Sequence, residues 1–513
     1  MSLLIADLPA DKRGQLALAD ERVVLDWSGL DDAVNRFVNA VMAEGEVKRA
    51  AVFAPNSADT AIAYLGCLFA GISSVPVSYH LTAGEVAYIL KDSDAQIVFV
   101  GPETAERSLE AARLAGIETV IGWRCEAYEG VQSWESWLAD ARADEPRADM
   151  PPSPHLHYTS GTTGQPKGTE TPPGYFPRTD TVEDFIRQMK ERRKALPEGP
   201  GIAVGPLYHT GPLTMIRALS GGAPLVTVSS FDAESILSMI EKFRIAATVM
   251  VPTHFQRLLA LPEEVRNKYD LSSLQRVAHT GAACPRDVKK QMIDWLGPVI
   301  VEAYGGTEAG TTTMITSEEW LKKPGSVGKA VEPFTAVIYD KDGKALPAFE
   351  VGQLYFKDKT GRGIIYHNDP QKTAEAHIAP GIFTLGEMAY LDDEGYVFIT
   401  DRVSDMIVSG GVNIYPAEAE HVLLTHDGVA DVAIIGVPNA DMGEEAKALV
   451  VPADSDNPPS HEVLNAFCRE HLAGFKCPRS YEFRDDIGRN AMGKINKRAL
   501  RKPFWSSDKM IGG

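Results

Sequence analysis

Residues 49–54 read RAAVFA, residues 56–70 read NSADTAIAYLGCLFA and residues 73–77 read SSVPV. The first and third are short apolar runs with β-branched residues, and the second carries helical spacing. Working outward, 85–91 is again helical and 95–100, AQIVFV, is again strand-like. Strand and helix patterns that alternate in this way predict a parallel sheet covered by helices. The same unit returns at 246–251 (AATVMV) before a helix at 253–260, and at 299–303 after a helix at 285–296. From about residue 337 the texture changes to short strands with Gly/Asp turns: AVIYDKDGKAL, GQLYFK and AYLDDEGYVFIT. These predict antiparallel hairpins. The remaining 110 or so residues are enough for a small α/β domain of their own. The expected fold is therefore α/β. A large N-terminal domain, 1–402, holds parallel-rich α/β sheets and a β-rich subdomain, and a small C-terminal α/β domain occupies 403–513. The proline-rich stretches 145–155 and 453–460 read as surface linkers or turns.

The chain has 513 residues, 44% hydrophobic and 24% charged, with a net charge of −19. That acidity argues against a general nucleic-acid binder, which needs a basic face. An acidic chain that takes an anionic ligand must concentrate positive charge locally. Cys67, Cys125, Cys284, Cys468 and Cys477 are scattered and lack CxxC spacing, so neither a disulfide framework nor a zinc site is expected. Residues 1–14 have no basic start followed by an apolar run, as a signal peptide requires. The most apolar stretch, 61–77, is broken by glycine, serine and proline, which suits a helix leading into a buried strand better than a membrane span. A cytoplasmic location without stable membrane insertion is the expectation.

Residues 158–168 read YTSGTTGQPKG. Three glycines, four hydroxyl side chains and one lysine fall within eleven residues. Glycines let the backbone approach a polyphosphate, hydroxyls and N–H groups wrap its oxygens, and Lys167 adds charge. A Walker A loop is excluded, because Pro166 precedes the lysine and Gly168 follows it.

This segment resembles the phosphate-binding signature of the adenylate-forming superfamily, which holds acyl-CoA synthetases, peptide-synthetase adenylation domains and luciferases. The resemblance covers nearly the whole chain. Residues 53–71 and 75–99 resemble the opening domain of these ligases, and the later motifs arrive in the family's order. It implies that Thr159, Ser160, Gly161, Thr162, Thr163, Gly164 and Lys167 hold the phosphates of ATP. EAYGGTEAG, 302–310, resembles the second core motif and follows a strand-like run, where open α/β sheets bind ligands. Glu302, Ala303, Tyr304 and Gly305 then line the ATP site. Tyr304 would stack on adenine, Thr307 would contact the α-phosphate, and Glu308 would hold Mg²⁺. Gly281, Ala282 and Ala283 resemble the small-residue segment on the other side of the adenine. Glu387 stands in LGE where the family usually has Thr-Gly-Asp, and with Arg402 it would bind ribose. Its extra methylene departs from the pattern.

PLYHTG, 206–211, resembles the segment that gates the acyl pocket, so His209, Thr210 and Gly211, together with Gly306, are expected to line it. Ser404 stands at the hinge position, usually Asp or Lys, and Gly410 and Gly411 would pass close to the pantetheine of coenzyme A (CoA). In NAMGKINK, 490–497, Lys494 matches the family's catalytic lysine. With Thr307 and His209 it completes the expected catalytic set. Lys476 is a further candidate for the CoA phosphates. The resemblance implies a carboxylic acid–CoA ligase that uses Mg-ATP to form acyl-AMP and then acyl-CoA. Its acid is expected to be hydrophobic, because 211–213 is apolar and Gly305 and Gly306 suggest room. ATP, Mg²⁺, CoA and a small carboxylic acid are the implied ligands, and a homodimer is left open. Two alternatives stand beside it. One is an adenylating enzyme with a carrier-protein acceptor. The other is a catalytically impaired nucleotide- or acyl-binding paralogue, motivated by Glu387, Ser404 and the unusual segment TETPPGYFPRTD at 169–180.

Overall fold

The computed structural model describes residues 4, 5, 7–159, 166–402, 404–409, 412–439, 441–490 and 493–505. The expected strand at 49–54 forms as Arg49–Phe53, and the following helix as Ala58–Phe69. Ser57 sets the start of that helix by accepting the Thr60 N–H at 3.1 Å. The next strand–helix–strand run is Ser73–Pro76, Ala83–Asp92 and Ile97–Val100. Thr82 and Glu85 close a capping box at its helix start. These strands and Thr119–Gly122 pair in parallel within a five-stranded sheet.

A second sheet has nine strands. Its middle runs in parallel through Leu16–Ala19, Leu225–Thr227, Gly201–Ala203, Ala247–Met250, Arg276–His279 and Ile300–Gly306. The strands at both edges are antiparallel. The parallel strands are mostly apolar, as burial under helices demands, with His279 and Glu302 as buried polar exceptions. One large core packs the helices Trp27–Ala43, Ala58–Phe69 and Thr210–Ser220 between the two sheets.

The β-rich region is a six-stranded antiparallel sheet that includes Phe334–Tyr339, Gly352–Asp358, Glu387–Leu391 and Val397–Arg402. After Arg402 the chain enters a separate five-stranded sheet dominated by the hairpin Val429–Asn439 and Gly443–Pro452. Its own core lies under the helices Pro416–Leu423 and His461–His471. All five cysteines are free thiols. Among the described residues, no helix is long and apolar enough to cross a membrane.

Candidate active site

Four neighbouring parallel strands of the nine-stranded sheet end along the same edge of that sheet. Gly201–Ala203 leads into the segment that ends at His209. Asn56, in the bend between the strand Arg49–Phe53 and the helix Ala58–Phe69, fixes that segment: its Nδ2 donates to the Gly205 carbonyl at 2.9 Å and its Oδ1 accepts the Leu207 N–H at 2.7 Å. His209 precedes the helix Thr210–Ser220. Burial, then the Lys494 charge and two further histidines, push its pKa down to about 3. The imidazole is therefore neutral at physiological pH. Thr210, the first helical residue, donates its hydroxyl to Thr307 at 3.0 Å. Ala247–Met250 leads into the helix that carries Thr253, and Arg276–His279 leads into Gly281, Ala282 and Ala283. Gly211 faces Val249 and the Thr280 methyl.

The fourth strand, Ile300–Gly306, turns back as Gly310–Thr316. Along it, Glu302 is buried and bound to Lys289, with His279 at 3.4 Å. Burial raises its pKa, but His279 and Lys289 overcome that and hold the carboxyl well below the usual range. The Glu302 side chain thus serves the interior beneath the cleft. Two residues on, Tyr304 donates its hydroxyl to Glu387 Oε2 at 2.6 Å. Glu387 is 7% exposed and lies 3.8 Å from Arg402, its cross-strand partner. Burial raises the Glu387 pKa; Arg402 and Tyr304 oppose the rise. Burial and the adjoining Glu387 likewise push the Tyr304 phenol well above its ordinary value.

Gly305 and Gly306 contribute less open space than the sequence suggested. A Cβ on Gly305 would strike the Gly310 carbonyl, and one on Gly306 would lie 2.8 Å from Glu308 Oε2. Both glycines serve the packing of the turn itself. Glu308 receives the Tyr366 hydroxyl at 3.4 Å, and no ion pair to it forms among the described residues. One carboxylate with a free oxygen, next to the hydroxyl of Thr307, suits a hard cation that keeps most of its waters, as Mg²⁺ does.

The segment expected to hold phosphate joins the paired strands Leu156–Thr159 and Lys167–Glu170. Ser160, Gly161, Thr162, Thr163 and Gly164 lie outside the described residues, as do Gly410 and Gly411. Thr159 and Lys167 frame the loop, and the Lys167 ammonium rests on Asp369 at 2.9 Å. Ser404 donates to Asp405 at 3.2 Å, and its carbonyl accepts from Arg501. Lys476 pairs with Glu418 at 2.5 Å.

Lys494 lies in the segment between the strand Ser480–Phe483 and the short helix Lys497–Arg501. The Asn490 side chain accepts its backbone N–H at 3.0 Å, and Gly493 turns beside it with φ of +70°. The Lys494 residue is exposed to solvent. Lost hydration and the Arg402 charge push its pKa below the ordinary lysine value, while Glu308 and Glu387 act in the opposite direction. Lys494, His209, Arg402, Glu308 and Glu387 thus share one electrostatic field, although they lie as far as 285 positions apart in sequence, 494 − 209.

Sequence reasoning did not single out Thr253, Tyr366 or Asp369. Each is an ordinary polar residue locally; Asp369 even reads as a helix cap, accepting the Lys372 N–H at 2.9 Å. Only the tertiary fold brings them against Gly493, Glu308 and Lys167.

Residues 7–362 match the AMP-binding enzyme family, and residues 418–494 match the AMP-binding enzyme C-terminal domain. A 3-[(3aS,4S,7aS)-7a-methyl-1,5-dioxo-octahydro-1H-inden-4-yl]propanoyl:CoA ligase of Rhodococcus jostii is 33% identical over 95% of each chain. A feruloyl-CoA synthase of Amycolatopsis is 34% identical over 94% of each chain. ATP-bound MatB from Rhodopseudomonas palustris superposes with a TM-score of 0.82 at 26% identity, covering 98% of both chains. The chain belongs to the AMP-binding enzyme family of the adenylate-forming superfamily and is an acid–thiol ligase.

Proposed function

We propose that the protein is an AMP-forming carboxylic acid–CoA ligase acting on an acid with a bulky hydrophobic body. The observation that supports this reading is the electrostatic coupling of the Lys494 ammonium, from the C-terminal segment, to Glu308, Glu387, Arg402 and His209. In the first step the carboxylate oxygen attacks the α-phosphorus of ATP and pyrophosphate leaves. Two anions must approach each other, so a cation at their junction lowers the barrier more than a general base would. Lys494 is suited to bridge the carboxylate and the α-phosphate. Thr307 offers a hydroxyl to the same phosphate, held in place by Thr210. His209, neutral, lines the acid's path with Gly211. Tyr304 presents its ring to adenine, and the Glu387–Arg402 pair faces ribose. Glu308 would hold Mg²⁺, which offsets polyphosphate charge when bound. Lys167 would exchange Asp369 for phosphate oxygen.

In the second step the CoA thiol attacks the acyl carbon and AMP departs. That requires Lys494 to leave and the glycine segment at 410–411 to enter, by rotation of residues 403–513 about Ser404. The bulky cyclic acids in the names of the Rhodococcus and Amycolatopsis relatives support a hydrophobic acid. Purified protein, a panel of acids, Mg-ATP and CoA test the reading. Acyl-CoA, AMP and pyrophosphate should form together, and Lys494→Ala should abolish pyrophosphate release. Pyrophosphate with no acyl-CoA would point to a carrier-protein acceptor. Pyrophosphate release that survives Lys494→Ala would defeat the mechanism.

A further inference from the structure

Arg217 is the one arginine of the helix Thr210–Ser220, and it is 7% exposed. Its Cζ sits 4.9 Å above the ring of Tyr175, and its Nη1 has no hydrogen-bond partner. No ion pair to Arg217 forms among the described residues, and Arg192 adds a like charge that opposes its protonated form. Two buried histidines, His155 and His157, are neutral because burial first, and the Arg217 charge with it, depress their pKa values, and the Nε2 of each is also without a partner. A buried cation with no counter-ion and no full set of acceptors is disfavoured unless something supplies them.

The position of Arg217 suggests what does. Seven residues are almost two full helical turns, so Arg217 lies on the face of Thr210, about 10 Å further along the helix axis. Thr210 touches Thr307 at the reacting end of the cleft. Tyr175, under Arg217, touches Thr311 at 3.1 Å and fills the space beside Gly310, on the same turn of chain. The helix and this turn therefore run side by side from Thr307 down to Arg217. Tyr175 belongs to the segment 169–180, whose departure from the family pattern had no explanation in the sequence. The structure gives it one, as the platform on which Arg217 rests.

We propose that Arg217 is a specificity-determining residue that receives an oxygen acceptor at the far end of the acid substrate. The inference rests on the ligase reading above and narrows it. The acid has an apolar body and a second oxygen function, carboxylate or carbonyl, about 10 Å from the carboxylate that is activated.

Nonanoate, 8-oxononanoate and nonanedioate separate the cases, with kcat/KM for pyrophosphate release measured for wild type, Arg217→Met and Arg217→Lys. Wild type should favour at least one oxygenated acid over nonanoate by about tenfold or more, since a site built to bond an oxygen discriminates strongly against its absence. Arg217→Met should collapse that ratio, and Arg217→Lys should restore much of it. Preference for the keto acid identifies a carbonyl; preference for the diacid identifies an anion. A preference for nonanoate in wild type, or a parallel fall for all three acids in Arg217→Met with the ratio intact, overturns the proposal. The ligase reading fails separately, if wild type turns over none of the acids in the wider panel. In that event thermal shift still decides the Arg217 assignment: nonanedioate or 8-oxononanoate should raise the Tm of wild type and not of Arg217→Met, and equal shifts overturn it.

Discussion

The Tyr304 hydroxyl and Glu387 Oε2 are 2.6 Å apart, which ties the nine-stranded sheet to the antiparallel sheet beneath the cleft. This bond makes use of the extra methylene of Glu387. Tyr304→Phe removes the donor and leaves a buried carboxyl with less support, at a cost of about 1–3 kcal/mol. Glu387→Asp, although closer to the family pattern, shortens the reach and should break the same bond. Both variants should raise the KM for ATP roughly five- to thirtyfold, with a smaller effect on the KM for the acid. Initial-rate kinetics with each substrate varied in turn measure this. An unchanged ATP KM in Glu387→Asp would mean that the tie has no part in nucleotide binding.

Under the proposed function, Lys167 releases Asp369 before it meets phosphate. Both side chains are about one-quarter exposed, so the pair contributes little by itself, about 1 kcal/mol or less. Asp369→Asn keeps a good helix cap for the Lys372 N–H and removes the competing charge. ATP should then bind up to about fivefold more tightly, measured by calorimetry or as KM. Weaker binding would show that Asp369 positions the lysine for phosphate instead of competing for it.

Glu302 and Lys289 are both buried, and each is the other's counter-ion. Glu302→Gln leaves the ammonium unpaired and should destabilise the protein by about 3–5 kcal/mol, while Glu302→Gln/Lys289→Met should recover much of the loss. The sign with pH follows from the depressed carboxyl. Its stabilising contribution is fully present above the ordinary glutamate value of 4.5 and is lost as pH falls through the lowered folded value. Thermal melts between pH 7 and 3 should show Glu302→Gln losing less stability on acidification than wild type. Parallel curves would remove Glu302 from the acid transition.

The alternation of strands and helices in 49–100 was legible because period and capping agree there: Ser57 and Thr82 start the helices that the spacing predicts. The cleft was legible as a set of segments, since glycine, hydroxyl and lysine have few other reasons to crowd together at 158–168. Depth was not legible. Glu302 and Tyr304 share one face of a strand, but Glu302 lies about 6–7 Å further in, where the neighbour is Lys289. Nor could spacing reveal Arg217. One arginine in an amphipathic helix looks solvated until the packing of Tyr175 places it inside.

Gly493 touches the large domain. A Cβ there would come within 2.5 Å of the Thr253 hydroxyl, and its φ of +70° disfavours any side chain. In the proposed mechanism this contact belongs to the arrangement that presents Lys494 to the acid and ATP, so Gly493→Ala should hinder the first half-reaction selectively. Acid-dependent pyrophosphate release should fall by about tenfold or more, whereas conversion of supplied acyl-AMP and CoA to acyl-CoA should stay within about threefold of wild type, because that step uses the rotated arrangement. The double variant Gly493→Ala/Thr253→Ala separates the two causes. It relieves the contact and leaves the backbone strain, so partial recovery assigns the defect to docking against Thr253. Equal loss in both half-reactions would show that Gly493 matters to the fold of the C-terminal domain and not to the placement of Lys494.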